Sequence, residues 1–439
     1  MPEAVHVIGA GLAGVEAAYR LSQCGVDVHL FEMRPVRMTP AHTTDKLAEL
    51  VCSNSLKGTD PLTAHGLLKK ELSQLDSLVL KNAFQTRVPA GKALAVDREA
   101  FAARITADIA QHPRIRLIRK EVTQIDLSVP TIIATGPLTS EALASEIAEL
   151  TGQQGLSFYD AIAPIIDSHS IDYDKAFFGS RWASDDTDYL NCPLDKEAYS
   201  AFINALLAAD TVTPHAFEDA RFFEGCLPIE IMARRGPESL RFGPMRPVGL
   251  SDPRTGGRPH AVVQLRRENL KGEAYNLVGF QTRLTQSDQS KVLRLIPALA
   301  QAQFLRYGSI HRNTFIDAPR LLAPDLSLKA HRNIVLAGQL AGVEGYMEST
   351  AMGIMAAYSI MAYRCGKPFT PPPPETAIGA LIHHITDAAV RSFQPMNINF
   401  GIIPSPDVAK KLKRQALLER EALAFSEWVG TLEYRAPME

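Results

Sequence analysis

The first run of apolar positions, Val5-His6-Val7-Ile8, stops at Gly9 and has the length of a short buried strand. Apolar positions then recur at helical spacing over residues 15–24, with Ala17, Ala18 and Leu21 on one face. Gly25 ends that helix, and residues 26–32 read as a second strand. Residues 33–92 mix turns with helical pieces, including one over 67–80. Thr131-Ile132-Ile133-Ala134 is another strand, stopped at Thr135-Gly136. From about 150 to 330 the pattern changes to short strand-like runs, such as 261–265 and 275–278, between Gly/Pro-rich turns. Residues 333–337 return to a buried strand, followed by a Gly-rich turn over 338–345 and a helix over 347–363. The prolines at 371–374 form a stiff spacer, and a last helix is predicted over 406–429 with Ser405 as its N-cap. There is no internal repeat.

The turn after the first strand has chemistry. Gly9-Ala10-Gly11-Leu12-Ala13-Gly14 carries the GxGxxG spacing and opens a helix. Gly9 allows the tight turn, Gly11 lets backbone approach a pyrophosphate, and Gly14 lets helix and strand pack closely. The helix start offers free N–H groups to phosphate. Glu32 ends the second strand at the distance expected for a ribose-binding carboxylate. Gly136 and the turn with Gly338 and Gly342 close two further strands, and a large flavin needs several strand ends to cover it. The helix start near Tyr346 suits negative charge on a reduced flavin ring. With no second GxGxxG in the chain, FAD is the expected resident and a nicotinamide visits briefly. The expected fold is α/β: a FAD-binding, Rossmann-like (glutathione-reductase-like) domain of residues 1–150 and 330–439, with an inserted α+β domain over 151–329 that contributes to substrate binding.

Composition narrows the class. The 439 residues exceed one ordinary core, and 46% hydrophobic against 21% charged is a globular balance. A formal net charge of −2 makes the whole chain no polycation, so nucleic-acid contact needs a local patch. Residues 221–270 supply one, with nine arginines against five acids. Arg221, Arg234, Arg235, Arg241 and Arg246 lead it, and Arg254, Arg258, Arg266 and Arg267 complete it. Lys410, Lys411, Lys413 and Arg414 start a second basic face on the last helix. The cysteines (24, 52, 192, 226 and 365) are odd in number and widely spaced. That excludes a disulfide framework and a zinc site and fits a reducing cytoplasm. His383-His384 has no third ligand at metal spacing, so no metal is assigned. Only four residues precede the first strand, too few for a signal or transit peptide, and no apolar run reaches across a bilayer.

Longer strings carry a family likeness. They are Glu32-Met33-Arg34-Pro35, residues 49–56 (ELVCSNSL), 93–98 (ALAVDR), 223–230 (FEGCLPIE), 241–245 (RFGPM), 275–282 (YNLVGFQT), His311-Arg312-Asn313-Thr314-Phe315 and 342–346 (GVEGY). Together they resemble the folate- and FAD-dependent tRNA (uracil-5-)-methyltransferase family, TrmFO, from residue 5 to Asn397. Leu47 and Lys57 stand where that family has Phe and Arg, and Ser349-Thr350-Ala351 varies a usual Ser-Ala-Ala. The resemblance implies formation of 5-methyluridine at position 54 of the tRNA T loop, with the inserted domain over 151–329 contributing to tRNA binding. 5,10-Methylenetetrahydrofolate gives the carbon, and FAD reduced by NADH or NADPH gives electrons. No obligate protein partner is evident.

Uracil C5 is a poor nucleophile until a thiolate adds across the C5–C6 bond. On the resemblance, Cys226 is the nucleophile that adds to C6, between Gly225 and Pro228 and near Arg221, Arg234 and Arg235. Cys52 is the second thiol, as general acid or base or as a transient tether for the carbon. His311, Arg312, Asn313 and Tyr346 are candidates for the folate. The target uridine must be exposed from a folded loop. Other readings are an NAD(P)H-dependent flavin oxidoreductase, a related flavoprotein that modifies tRNA wobble uridines, and a non-catalytic FAD-bound RNA-binding module.

Overall fold

The computed structural model describes residues 4–153, 156–181, 187–212, 227–390, 393–409 and 411–432. Five parallel strands form its central sheet, in the order Ile334–Leu336, Thr131–Ile133, Val5–Ile8, Val28–Glu32, Ile115–Arg119. Counted along the chain and read from the opposite edge, that order is 3-2-1-4-5, the doubly wound arrangement that leaves a crevice beside the first strand. The register pairs Val7 with Leu30 on one side and Ile132 on the other. Val5, Val7, Leu30, Ile132 and Val335 are all at most 1% exposed, as parallel strands covered on both faces require.

Two helices cross tightly over this sheet. The first, Leu12–Gln23, buries Ala13, Gly14, Ala17 and Ala18. The second, Tyr346–Arg364, is nearly all buried along its length. A Cβ on Gly353 would stand 2.3 Å from the Ala13 carbonyl oxygen, so the small residues are what allows the helices to touch.

A second body has its own core, running from Ile166 to Ala302. Its six-stranded antiparallel sheet has the order Phe177–Phe178, Tyr189–Leu194, Ala261–Arg267, Ala274–Leu277, Ile165–Asp167, Phe304–Arg306. A ribbon of Leu156–Ala161 with Ile310–Phe315 joins it to the first body. The chain re-enters the first core at Phe315, ahead of the edge near 330. The parallel sheet with a mixed α+β insertion is the fold class expected from the sequence.

Two helices differ from expectation. The stretch 67–80 is two helices, Ala64–Gln74 and Leu78–Gln85, because the Ser77 hydroxyl accepts from Leu80 N and caps a new start. The final helix is Lys413–Thr431, and Ser405 does not cap it. Ser405 Oγ instead accepts from Lys413 Nζ at 3.3 Å, and Arg420 reaches back to the Pro404 carbonyl, so 404–409 folds against the helix.

Candidate active site

The turn after the first strand is built around missing side chains. Gly9 has φ +96°, and a Cβ there would lie 2.6 Å from the Ala134 carbonyl oxygen. A Cβ on Gly14 would lie 1.8 Å from the Gly9 oxygen. Gly11 differs: a Cβ there meets nothing within 4 Å, because it faces a solvent-open cavity beside the first strand. Gly9, Ala10, Gly11, Leu12 and Ala13 line that cavity, with Glu32, Gly136, Gly338 and Tyr346. Gly14 and Gly342 do not. Gly14 packs helix on strand, and Gly342 packs on the Phe393 ring. No side chain caps the helix start at Gly11, which leaves its N–H groups to the cavity.

Glu32 is 6% exposed. Its carboxylate accepts from Ala10 N at 3.1 Å and from Arg34 N and Nε at 3.0 Å each. Burial raises its pKa, but Arg34's hydrogen bonds and charge outweigh that and hold it below the usual carboxylate range. Arg34 also donates to Glu49, which accepts from Thr43 and Thr44. His42, on the same wall, is pushed down to about 4 by burial and the Arg34 charge, so its ring is neutral.

The crevice continues into a second solvent-open cavity, whose lining includes Cys52, Lys57, Gln281, Asn313 and Glu348. Val51, Pro137, Leu138, Gln339, Tyr346 and Ser349 line both spaces. Tyr346 sits at the shared wall, and its hydroxyl accepts from Cys52 N at 3.0 Å and Ser53 N at 3.3 Å. Burial and the neighbouring Cys52 push its pKa well up, so the hydroxyl stays neutral. The Cys52 Sγ lies 4.0 Å from the Ala161 carbonyl oxygen.

The Cys52 loop is also tied to the second body. Arg98 donates to the carbonyls of Leu50 and Cys52 and pairs with Glu268, whose side chain is 5% exposed. Asn54, fully buried, donates to the carbonyls of Val96 and Arg267 and accepts from Arg266 Nε at 2.8 Å. Arg266 also donates to Ser53 Oγ at 2.8 Å. Sequence reasoning passed over Arg34, Glu49, Arg98 and Glu268 as site residues. Arg34, Glu49 and Arg98 stand inside the quoted strings, where an arginine beside an apolar run was the available signal.

The arginine excess splits in space. Arg266 is buried in this clamp rather than offered to solvent. Arg254 pairs with Asp252, and Arg241 with Glu238 and the His260 carbonyl. Arg234, Arg235 and Arg246 are exposed. Arg221 and Cys226 lie outside the described residues, as do the side chains of His311 and Arg312. The segment is described again from Leu227, and Ile229 N donates to the Gln281 carbonyl at 2.7 Å, beside the Cys52 cavity. Asn313 is 3% exposed on the cavity wall.

The strand order and the glycine cradle define a Rossmann-type dinucleotide-binding protein whose nucleotide crevice opens onto a cysteine. The family model "Glucose inhibited division protein A" matches residues 4–368. GidA of Aquifex aeolicus has the same fold: its form II crystal structure superposes with a TM-score of 0.71 at 18% identity, over 99% of this chain and 74% of that one. Full-length likeness is closer among proteins named "Methylenetetrahydrofolate--tRNA-(uracil-5-)-methyltransferase TrmFO". The one from Geotalea uraniireducens is 54% identical, over 98% of this chain and 99% of that protein. The one from Moorella thermoacetica is 52% identical, over 96% and 97%. The chain belongs to the TrmFO family.

Proposed function

We propose that this protein uses FAD and 5,10-methylenetetrahydrofolate to form 5-methyluridine at position 54 of the tRNA T loop. The observation that carries this reading is the continuity of the two cavities. A glycine-lined nucleotide crevice and a cysteine-bearing chamber share one wall at Gln339, Tyr346 and Ser349.

The residues present fit FAD. Gly11 opens on empty space where a pyrophosphate needs close approach to backbone, and Glu32 is an ionised carboxylate at the end of the second strand. Gly9, Gly11 and the helix start would hold the phosphates, and Gly338 and Gln339 would border the ring end. FAD, reduced by NADH or NADPH, supplies electrons, and the folate supplies the carbon.

The chain's own groups do the rest. Thiolate addition from Cys226 to uracil C6 makes C5 nucleophilic. Once C5 carries the one-carbon unit, its proton leaves to a base and the bond from that carbon to its carrier breaks. The methylene left on C5 must then gain a hydride equivalent, the two electrons that reduced FAD would supply, to become the methyl as the thiolate departs from C6. Cys52 is assigned to that proton transfer, because its backbone is held from both sides by Tyr346 and Arg98. Asn313, with His311 and Arg312 on the same strand, is assigned to the folate. The second body, with Arg234, Arg235, Arg241 and Arg246, is assigned to tRNA. The cytoplasm is the compartment this reading implies.

The test is direct. Protein, unmethylated tRNA, methylenetetrahydrofolate and NADH are incubated, and nucleosides are analysed for 5-methyluridine. Formation is expected with wild type and not with Cys226→Ala or Cys52→Ala, both of which retain FAD. Absence of product with wild type, or turnover by Cys226→Ala, would refute the assignment.

A further inference from the structure

Phe242 is 83% exposed, more than any other large apolar side chain among the described residues. It ends a short turn of helix, Ser239–Phe242, in a loop pinned at both ends. Met245 N donates to the Leu240 carbonyl at 2.8 Å, and Val262 N to the Met245 carbonyl at 3.1 Å. The exposed ring is therefore held by a fixed backbone.

The same loop brings two guanidinium groups together. Arg246 N donates to the Gly243 carbonyl, so the chain turns over 243–246 and Arg246 stands in the same loop, four residues after Phe242. Arg181 Nη2 donates to the Arg246 carbonyl at 2.6 Å, and Gly249 packs on the Arg181 backbone. Among the described residues no carboxylate pairs with Arg181 or Arg246, and Arg181 Nε is buried without a partner. Burial and the Arg246 charge both lower the Arg181 pKa, as two unshielded cations should. The one nearby acid pairing in the loop, Glu238, is taken by Arg241.

The loop is packed against the segment that leads to the chamber. Pro244 sits against Gly279, where an added Cβ would stand 2.7 Å away, and Gly279 is two residues before the cavity-lining Gln281.

We propose that Phe242 is a stacking platform for an exposed base of the tRNA, with Arg181 and Arg246 clamping an adjacent phosphate. This rests on the tRNA reading above and names the surface that delivers the substrate. A free aromatic face binds any base by stacking, and paired guanidiniums fit phosphate oxygens. The same pairing of an apolar ring with cations disfavours a hydrophobic protein partner.

The test uses full-length holoenzyme and unmethylated tRNA. Phe242→Ala should raise Kd and KM for tRNA about tenfold, with the effect in KM rather than kcat, while Phe242→Trp restores binding. Arg181→Gln and Arg246→Gln should each lower the slope of log Kd against log salt by about one. FAD content and melting midpoint report folding of each variant. If wild type forms 5-methyluridine but Phe242→Ala binds tRNA as wild type does, the platform is refuted and the tRNA reading stands. Loss of self-association in Phe242→Ala with unchanged tRNA affinity would also overturn it, by assigning the face to a second copy of the chain. If wild type methylates no tRNA and binds none, the underlying reading fails first.

Discussion

Tyr346→Phe isolates what holds Cys52 in place. The substitution keeps the ring and deletes one oxygen, so the shared wall of the two cavities keeps its shape. Cys52 N and Ser53 N, at 3.0 and 3.3 Å, then lose their acceptor. A fully buried N–H left unpaired costs about 1–3 kcal/mol, and these two are half-buried beside a cavity, so the loop faces at most roughly 2–6 kcal/mol if it stays in place. Its movement is limited but not abolished by Arg98, which holds the carbonyls of Leu50 and Cys52 from the other side. Relaxation of the amides toward water would shift the thiol, and a displacement of about 1 Å costs on the order of 100-fold in rate. Methylation kcat should fall by about that factor with FAD content retained. The melting midpoint should fall as well. Because Tyr346's pKa lies well above 10, its contribution is full below the unfolded value and fades only in strong alkali. The gap in melting midpoint between wild type and variant should therefore stay constant from pH 6 to pH 9. Wild-type turnover with an unchanged midpoint would refute the anchoring role.

Arg98→Met strands the buried Glu268 carboxylate and should destabilise by about 3–5 kcal/mol, read by denaturant titration; adding Glu268→Met should recover a large part of that. Gly14→Ala puts a Cβ 1.8 Å from the Gly9 oxygen, so purified protein should contain little FAD by absorbance at the flavin band, with far-UV circular dichroism intact. Glu71 is fully buried beside Glu421, and its carboxylate accepts from Ala377 N and Ile378 N. Burial first, then the Glu421 charge, raises its pKa well above 4.5. A raised carboxyl pKa means the folded state holds the extra proton, so this stability is present below about pH 4.5 and is lost as pH rises through the folded value. Glu421→Gln removes the opposing charge, which Lys70 faces as a counter-ion, and should raise the melting midpoint more at pH 8 than at pH 5.

The nucleotide crevice was legible because its cause is local. Gly9, Gly11 and Gly14 act through backbone within a few residues, and spacing alone reports that. Glu32 was legible as an acid at a strand end, but not as one already engaged by Arg34 and Ala10 N. The chamber was not legible from periodicity, because Cys52, Gln281 and Asn313 meet only after three separate segments fold together. Local charge counting fails for the same reason. Arg266 and Arg246 lie in one arginine-rich stretch, yet Arg266 stands on a central strand facing Asn54 and Ser53, while Arg246 stands in a surface loop. A strand alternates its faces, so a basic residue within it is as able to brace the core as to meet a ligand. Only a loop arginine with no carboxylate beside it keeps its charge available. The RNA-facing surface should therefore be sought at Arg246 and its neighbour Arg181 rather than across the whole stretch, and the exposed ring of Phe242 stands in the same loop as Arg246.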